Sequence, residues 1–200
     1  MKTAESVKAQ IKHQAKIRKR DVQDLYILYV LERILYRLSV SPYKDMFVLK
    51  GGCLLYGLFR GQFTRTTTDI DLLGLRIMND VDNMKTVFMS ILNIECDDAI
   101  HFDIDTVSAR SITELRKYHG VNVSALAYLD HTRIPVSIDI GFDDVIFPDK
   151  WKMEYPTILD DKPPIISAYS LESIIAENLR QLSRWVLLTV DIRIFTISIF

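Results

Sequence analysis

The sequence is poor in the residues that mark specialised classes of chain. Only two cysteines, Cys53 and Cys96, occur in 200 residues. That excludes a disulfide-stapled scaffold and fits a reducing, cytoplasmic setting. Seven glycines and six prolines are too few for a collagenous or low-complexity chain. No run of about 18 apolar residues is free of charge, which argues against a membrane span and a membrane partner. The N-terminal MKTAESVKAQIKHQ lacks the apolar centre of an export signal. Neither sign of charge is in excess: the net is −1, so overall charge carries no nucleic-acid signal. What remains is ordinary globular composition, 48% apolar and 26% charged. A chain of this length can bury a real core and form one domain, or one with part of a second.

The balanced charge hides an asymmetry. Residues 1–20 carry seven Lys/Arg against one Glu. Lys8, Lys12, Lys16 and Arg20 recur every four residues, which on a helix makes one basic stripe. Such a stripe is either a solvated helix face or a contact for RNA or an acidic partner.

Residues 21–39 are densely apolar and free of Gly and Pro, so they read as a buried or amphipathic helix capped by Asp21 and ended by Ser41-Pro42. Phe47-Val48-Leu49 leads into Gly51-Gly52, and a short helix is expected over 53–60. Residues 68–75 predict a strand ending at Gly74. Residues 80–92 predict a helix starting near Asp80, with Val81, Met84, Val87, Phe88 and Ile91 on one face. Strand-like runs follow at 100–107, 121–129 and 133–140, the last two a hairpin around Asp130-His131-Thr132. Residues 141–169, with Pro148, Pro156, Pro163 and Pro164, read as loop-rich. Ser170 then caps a helix beginning LESIIAENL. The expected order is helices, a mixed α+β core, and the start of a helical C-terminal region.

The strongest chemical signal is Gly51-Gly52 followed at some distance by Asp69-Ile70-Asp71-Leu72. Residues i and i+2 of a strand share a face, so Asp69 and Asp71 project together. Paired carboxylates repel unless a positive charge lies between them. Mg²⁺, which takes oxygen ligands, suits that position. Two such ions could align an attacking hydroxyl and a leaving pyrophosphate. Bare backbone N–H groups at Gly51 and Gly52 could hold phosphate oxygens. A two-metal site needs a third acid on a neighbouring strand. Asp139 supplies it, facing away from Val136, Ile138 and Ile140. Arg65 either pairs with these acids or meets a triphosphate.

Other acidic pairs read as solvated: Asp103-Ile104-Asp105 on an expected edge strand, and the loop pairs Asp143-Asp144 and Asp160-Asp161. The four histidines lack metal-ligand spacing, which leaves zinc unsupported. Cys53 reads as core rather than nucleophile. No P-loop is present, because Gly51-Gly52 is not followed by Gly-Lys-Ser/Thr.

FVLKGGCLLYGLF, TRTTTDIDLLG, IPVSIDIGFDD, EYPTILD and YSLESIIAE occur in that order. Together they resemble the nucleotidyltransferase AbiEii/AbiGii toxin family, the toxin half of type IV toxin–antitoxin systems associated with phage defence. The resemblance implies an α+β fold with a polymerase-β-like nucleotidyltransferase core, a mixed sheet with flanking helices. It implies metal-dependent transfer of a nucleotide from an NTP to an RNA acceptor such as tRNA, and a cognate antitoxin. It places Gly51 and Gly52 in the glycine motif, Asp69 and Asp71 as the metal pair, and Asp139 as the third acid. The expected divisions are an N-terminal helical segment (1–43), the nucleotidyltransferase core (44–160) and an incomplete C-terminal helical region (161–200).

The resemblance ends at Glu177. The family continues A-E-K and then R-x-K-D-x-x-D, whereas Ala176-Glu177 is followed here by Asn178. Codons for 178–200 can be chosen so that a frame displaced by one base reads KFEAIVSLGFVNSRYKDFYDIYF, which restores both features. A one-base deletion near codon 178 is therefore expected. Its consequence would be a catalytically dead remnant that still binds NTP, RNA or antitoxin, as the alternative to an active enzyme.

Overall fold

The computed structural model describes residues 2–62, 67–114, 118–142, 149–176 and 179. Arg65, Asp143, Asp144 and, apart from Leu179, the altered tail lie outside them. The elements in chain order are α1 (Ala4–Arg18), α2 (Val22–Val40), β1 (Phe47–Lys50), α3 (Gly51–Leu58), β2 (Ile70–Gly74), α4 (Val81–Leu92), β3 (His101–Glu114), β4 (Tyr118–Leu129), β5 (Thr132–Gly141), β6 (Trp151–Glu154) and β7 (Ile165–Ala168). A further helical turn covers 171–176. The strands form one seven-stranded sheet in the order β3-β4-β5-β2-β1-β7-β6. It is mixed: β1 runs parallel to β7 and β2 parallel to β5, and the other neighbours are antiparallel. This is the mixed α+β architecture with flanking helices that the sequence predicts.

Local chemistry sets most boundaries. Thr3 caps α1 by accepting the Ser6 N–H at 3.2 Å, and Lys19 ends it in the left-handed region at φ +51°. Asp21 caps α2 by accepting the Gln23 N–H at 2.7 Å. Asp80 caps α4 by accepting the Asn83 N–H at 2.8 Å. Ser170 accepts the Ser173 N–H at 3.2 Å and so caps the turn at 171–176. Two expectations need correction. The segment 141–169 is not all loop: it contains β6 and β7, each four residues long. Strands that short, set between prolines, show too little alternation to be read. The basic stripe is also shorter than expected. α1 buries Val7, Ile11 and Ala15, and it stops before Arg20, whose guanidinium carbon lies 5.9 Å from the Tyr56 ring centroid. Lys8 pairs with Asp130 at 2.9 Å, and Lys12 and Lys16 face solvent.

The core runs from Val7 to Tyr169 and packs α2 and α4 against the sheet. An ion pair is buried inside it. Arg37 and Asp98 are 2% and 1% exposed, with Nη1–Oδ2 and Nη2–Oδ1 distances of 2.5 and 3.1 Å. Arg37 also donates to the Ile94, Arg33 and Ile100 carbonyls, so all five of its N–H donors are used. Its guanidinium lies 4.9 Å from the Phe102 ring centroid. The pair ties α2 to the chain that enters β3. A second acid on α2, Glu32, accepts the Ile158 N–H at 2.7 Å; burial pushes its pKa up to about 7. Asp161 is likewise not a solvated loop acid. Its side chain is 6% exposed, 2.5 Å from Lys2 Nζ, and accepts from the Tyr29 hydroxyl.

Removing Asp98 strands a buried guanidinium. Asp98→Ala should destabilise the fold by about 3–5 kcal/mol, measured by urea denaturation. Arg37→Met combined with Asp98→Leu should cost clearly less, because no charge is then left unpaired. A double mutant as unstable as the single one would show that the loss comes from the missing pair itself and not from the unpaired charge.

Candidate metal centre

The acids meet because of strand register. β2 lies between β1 and β5, with Asp71 opposite Lys50 on one side and opposite Asp139 on the other. β5 buries Ile134, Val136, Ile138 and Ile140, so the alternate residue Asp139 stands on the other face. Asp69 sits in the bend just before β2, two residues from Asp71. One carboxylate oxygen from each of Asp69, Asp71 and Asp139 lies within 4.8 Å of the other two. Among the described residues, this is the one group of three His, Cys, Asp or Glu side chains so placed. The sequence expectation thus brought together the three acids that the fold brings together. The rival Asp103 and Asp105 lie on the edge strand β3, away from the cluster.

The electrostatics follow from crowding. Burial raises the Asp71 carboxyl from its ordinary 3.8 to about 6, helped by Asp69 and Asp139; Lys50 and a hydrogen bond from the Gly52 N–H oppose the rise. Oxygen ligands of net negative charge, half-buried and mutually repelling, are the donor set that hard divalent cations take.

The glycines explain how the acids fit beside α3. Gly51 has φ +65°, and a Cβ there would stand 1.9 Å from Asp71 Oδ2. A Cβ on Gly52 would stand 2.6 Å from Thr67 Oγ1. The first turn of α3 is therefore bare backbone laid against Asp71, and the helix begins at Gly51 itself, two residues earlier than expected. Cys53, fully buried, donates its thiol to the Asp69 carbonyl at 3.1 Å. It is core, and burial beside the acids pushes its thiol pKa up.

Residues not singled out from the sequence complete the surroundings. Lys50 Nζ lies 5.9 Å from the Tyr169 ring centroid and 3.6 Å from where a Cβ on Gly141 would stand. Its ammonium thus reaches across the face on which Asp71 lies. Asn122 lies opposite Asp139 on β4 and donates to its Oδ1 at 2.6 Å. The signal that could have found Asn122 is a lone amide in the apolar strand VNVSALAYL, where a buried polar side chain requires partners.

A mixed sheet bearing three carboxylates on and beside adjacent strands defines an α+β protein with a centre suited to a hard cation. Residues 33–186 match the family described as nucleotidyl transferase AbiEii toxin, type IV TA system. The chain belongs to that family. No curated protein matches it. Among solved structures it is similar to the crystal structure of JHP933 from Helicobacter pylori, at 15% identity and a TM-score of 0.46, over 78% of this chain and 56% of that one. It is also similar to a Helicobacter pylori crystal structure described as a candidate nucleotidyltransferase, at 16% identity and a TM-score of 0.45, over 78% of this chain and 58% of that one. The chain spans somewhat over half the length of each. No helix among the described residues is long and apolar enough to cross a membrane.

Two outcomes follow from this geometry. The raised Asp71 pKa means that the unfolded chain ionises this group first as pH rises from 3.8, and the folded chain only near 6. In the absence of divalent cation the group therefore costs stability as pH rises across that window, and the cost persists above it. Asp71→Asn should raise stability in EDTA at pH 7 by about 2 kcal/mol and have little effect at pH 4. Paired urea titrations at the two pH values check this; equal effects at both would remove the repulsion argument. Gly51→Ala should destabilise by at least about 1–2 kcal/mol from the positive φ alone. It should also displace Asp71, so that Mn²⁺ affinity falls with stability in calorimetric titration.

Proposed function

We propose that this chain is a Mg²⁺-dependent nucleotidyltransferase toxin that transfers a nucleotide from an NTP to an RNA acceptor such as tRNA, and that a cognate antitoxin restrains it. The observation that carries the reading is the convergence of Asp69, Asp71 and Asp139 within 4.8 Å, in a chain whose residues 33–186 match the AbiEii family. These three side chains would hold the Mg²⁺. Bound there, Mg²⁺ would supply positive charge to polarise the transferring phosphoryl group and to stabilise the attacking and leaving oxygens. The protein's own part is positioning. Strand pairing holds Asp71 beside Asp139, and Gly51 and Gly52 keep side chains out of the space between α3 and the acids. The backbone at the start of α3 is also where triphosphate oxygens would approach, with Arg65 as a further phosphate contact. Exposed Lys12 and Lys16 on α1 are the cations of the basic stripe open to an RNA backbone. On this reading the catalytic core is residues 44–160 together with β7, which joins the sheet from within the expected 161–200 region, and residues 1–43 form a helical region beside it. A cytoplasmic location is part of the same proposal.

A second reading, an inactive protein that binds NTP, RNA or antitoxin, is favoured by one observation. Asn178 stands where the family pattern calls for a lysine, and a lysine there would meet the triphosphate as a point charge.

Labelled NTP, Mg²⁺ and bulk tRNA separate the readings. Label transferred to RNA supports the enzyme; NTP retention without transfer supports the inactive binder. Asp69→Asn or Asp71→Asn should each reduce transfer by about a hundredfold or more and weaken Mg²⁺-dependent NTP binding. Asp103→Asn should change neither. An equal loss at Asp103 would move the site to the other acidic pair.

A further inference from the structure

The acids belong to a longer row. Arg110 lies opposite Asn122, Asn122 opposite Asp139, Asp139 opposite Asp71, and Asp71 opposite Lys50. These five residues cross β3, β4, β5, β2 and β1, which are consecutive in the sheet. The row reads cation, amide, carboxylate, carboxylate, cation.

On the β4 side the row is hydrogen-bonded. The Asn122 amide donates to Asp139 Oδ1 at 2.6 Å and to Ser137 Oγ at 2.8 Å, and its oxygen accepts from Arg110 Nε at 3.2 Å. Asn122 is 6% exposed, so water does not compete for these groups. Its orientation has a single satisfactory solution. Flipping the amide would set its oxygen against the Asp139 carboxylate and its N–H groups against the Arg110 guanidinium. Arg110, facing solvent, thus fixes the amide, and the amide occupies one of the two oxygens of Asp139. The other oxygen is left for a cation.

We infer that Asn122, oriented by Arg110, is a positioning residue for the metal centre that makes Asp139 a ligand through one oxygen. The inference rests on the metal-site reading of the three acids. A partner of this kind fixes the rotamer of a ligating carboxylate, and its loss typically costs about 10–100-fold in metal affinity. The charge order adds to this: a guanidinium behind the amide polarises it toward the carboxylate, strengthening the bond without placing a cation where the metal would sit.

The experiment measures Mn²⁺ binding to the full chain by electron paramagnetic resonance of the free ion, with the thermal midpoint in EDTA recorded for each variant. Asp139→Asn is the control for the site itself: if it keeps wild-type Mn²⁺ affinity, the metal-site reading fails, whatever Asn122 does. With that control behaving as a lost ligand, Asn122→Leu should weaken Mn²⁺ binding by about tenfold or more. Arg110→Gln, on the exposed side and so safe for folding, should weaken it by a smaller factor, and Arg110→Lys should recover most of that loss. Lower thermal midpoints with unchanged Mn²⁺ affinity in both Asn122→Leu and Arg110→Gln would overturn the inference and leave Asn122 a structural amide. If Asn122→Leu does not fold, Arg110→Gln against Arg110→Lys decides alone: equal affinities in the two overturn it.

Discussion

Two carboxylates held directly opposite each other on neighbouring strands are the constraint around which this molecule is arranged. Asp71 and Asp139 cannot relax apart, because the β2–β5 ladder fixes their backbones and the alternating apolar residues on the opposite face fix the register. A one-residue slip of β5 would send Asp139 into the core and Ile138 into solvent. Asp69 adds a third charge from the bend before β2. Burial keeps water from screening the group, and the Asp71 pKa records the result. Everything adjacent answers that repulsion. Gly52 donates its N–H to Asp71, Lys50 brings an ammonium from β1, and Asn122 donates from β4.

The repulsion is tolerable because the rest of the core satisfies its own polar groups. Arg37 uses every donor it has, two of them on Asp98. Buried pairs of this type contribute little net stability relative to apolar packing, but breaking one is costly. They therefore act as alignment devices. Arg37 fixes where α2 lies relative to the entry into β3, and β3 presents Arg110 to Asn122. The site is thus aligned from outside by one charge pair and from within by another set of charges.

The sequence made the three clustered acids legible and left their supports hidden, for a physical reason. Asp71 and Asp139 take the alternate positions of apolar strands and Asp69 stands just before β2, and an acid among isoleucines needs an explanation in one dimension. Gly51-Gly52 is also visible, since adjacent glycines before a helix imply close approach. The structure adds that what approaches is Asp71. These helix starts read well because caps are local: Asp21, Asp80 and Ser170 each accept a backbone N–H two or three residues on. Asn122, Lys50 and the Arg37–Asp98 pair depend on register and packing between distant segments. One lysine in VLKGG or one arginine in LERILYRL carries no mark of its partner. Asp161 shows the limit most plainly, since beside Asp160 it reads as a solvated pair, yet only Asp161 turns inward to Tyr29 and Lys2.

The flanking charges also decide what kind of centre this is. A cluster held only by repulsion would bind any small cation and rearrange on losing it. Here the two ends of the row differ. Lys50 brings an ammonium from the neighbouring strand β1 that opposes the raised Asp71 pKa. Asn122 is a short planar amide locked on three sides. The β5 side of the cluster is therefore held by hydrogen bonds, and the β1 side is met by a charge. Of the two facing acids, Asp139 is held by an amide and Asp71 has its charge partly compensated by the Lys50 ammonium. If the three acids hold a cation as proposed, the Asp139 side would need the least reorganisation, which is the condition under which electrostatic stabilisation is most effective.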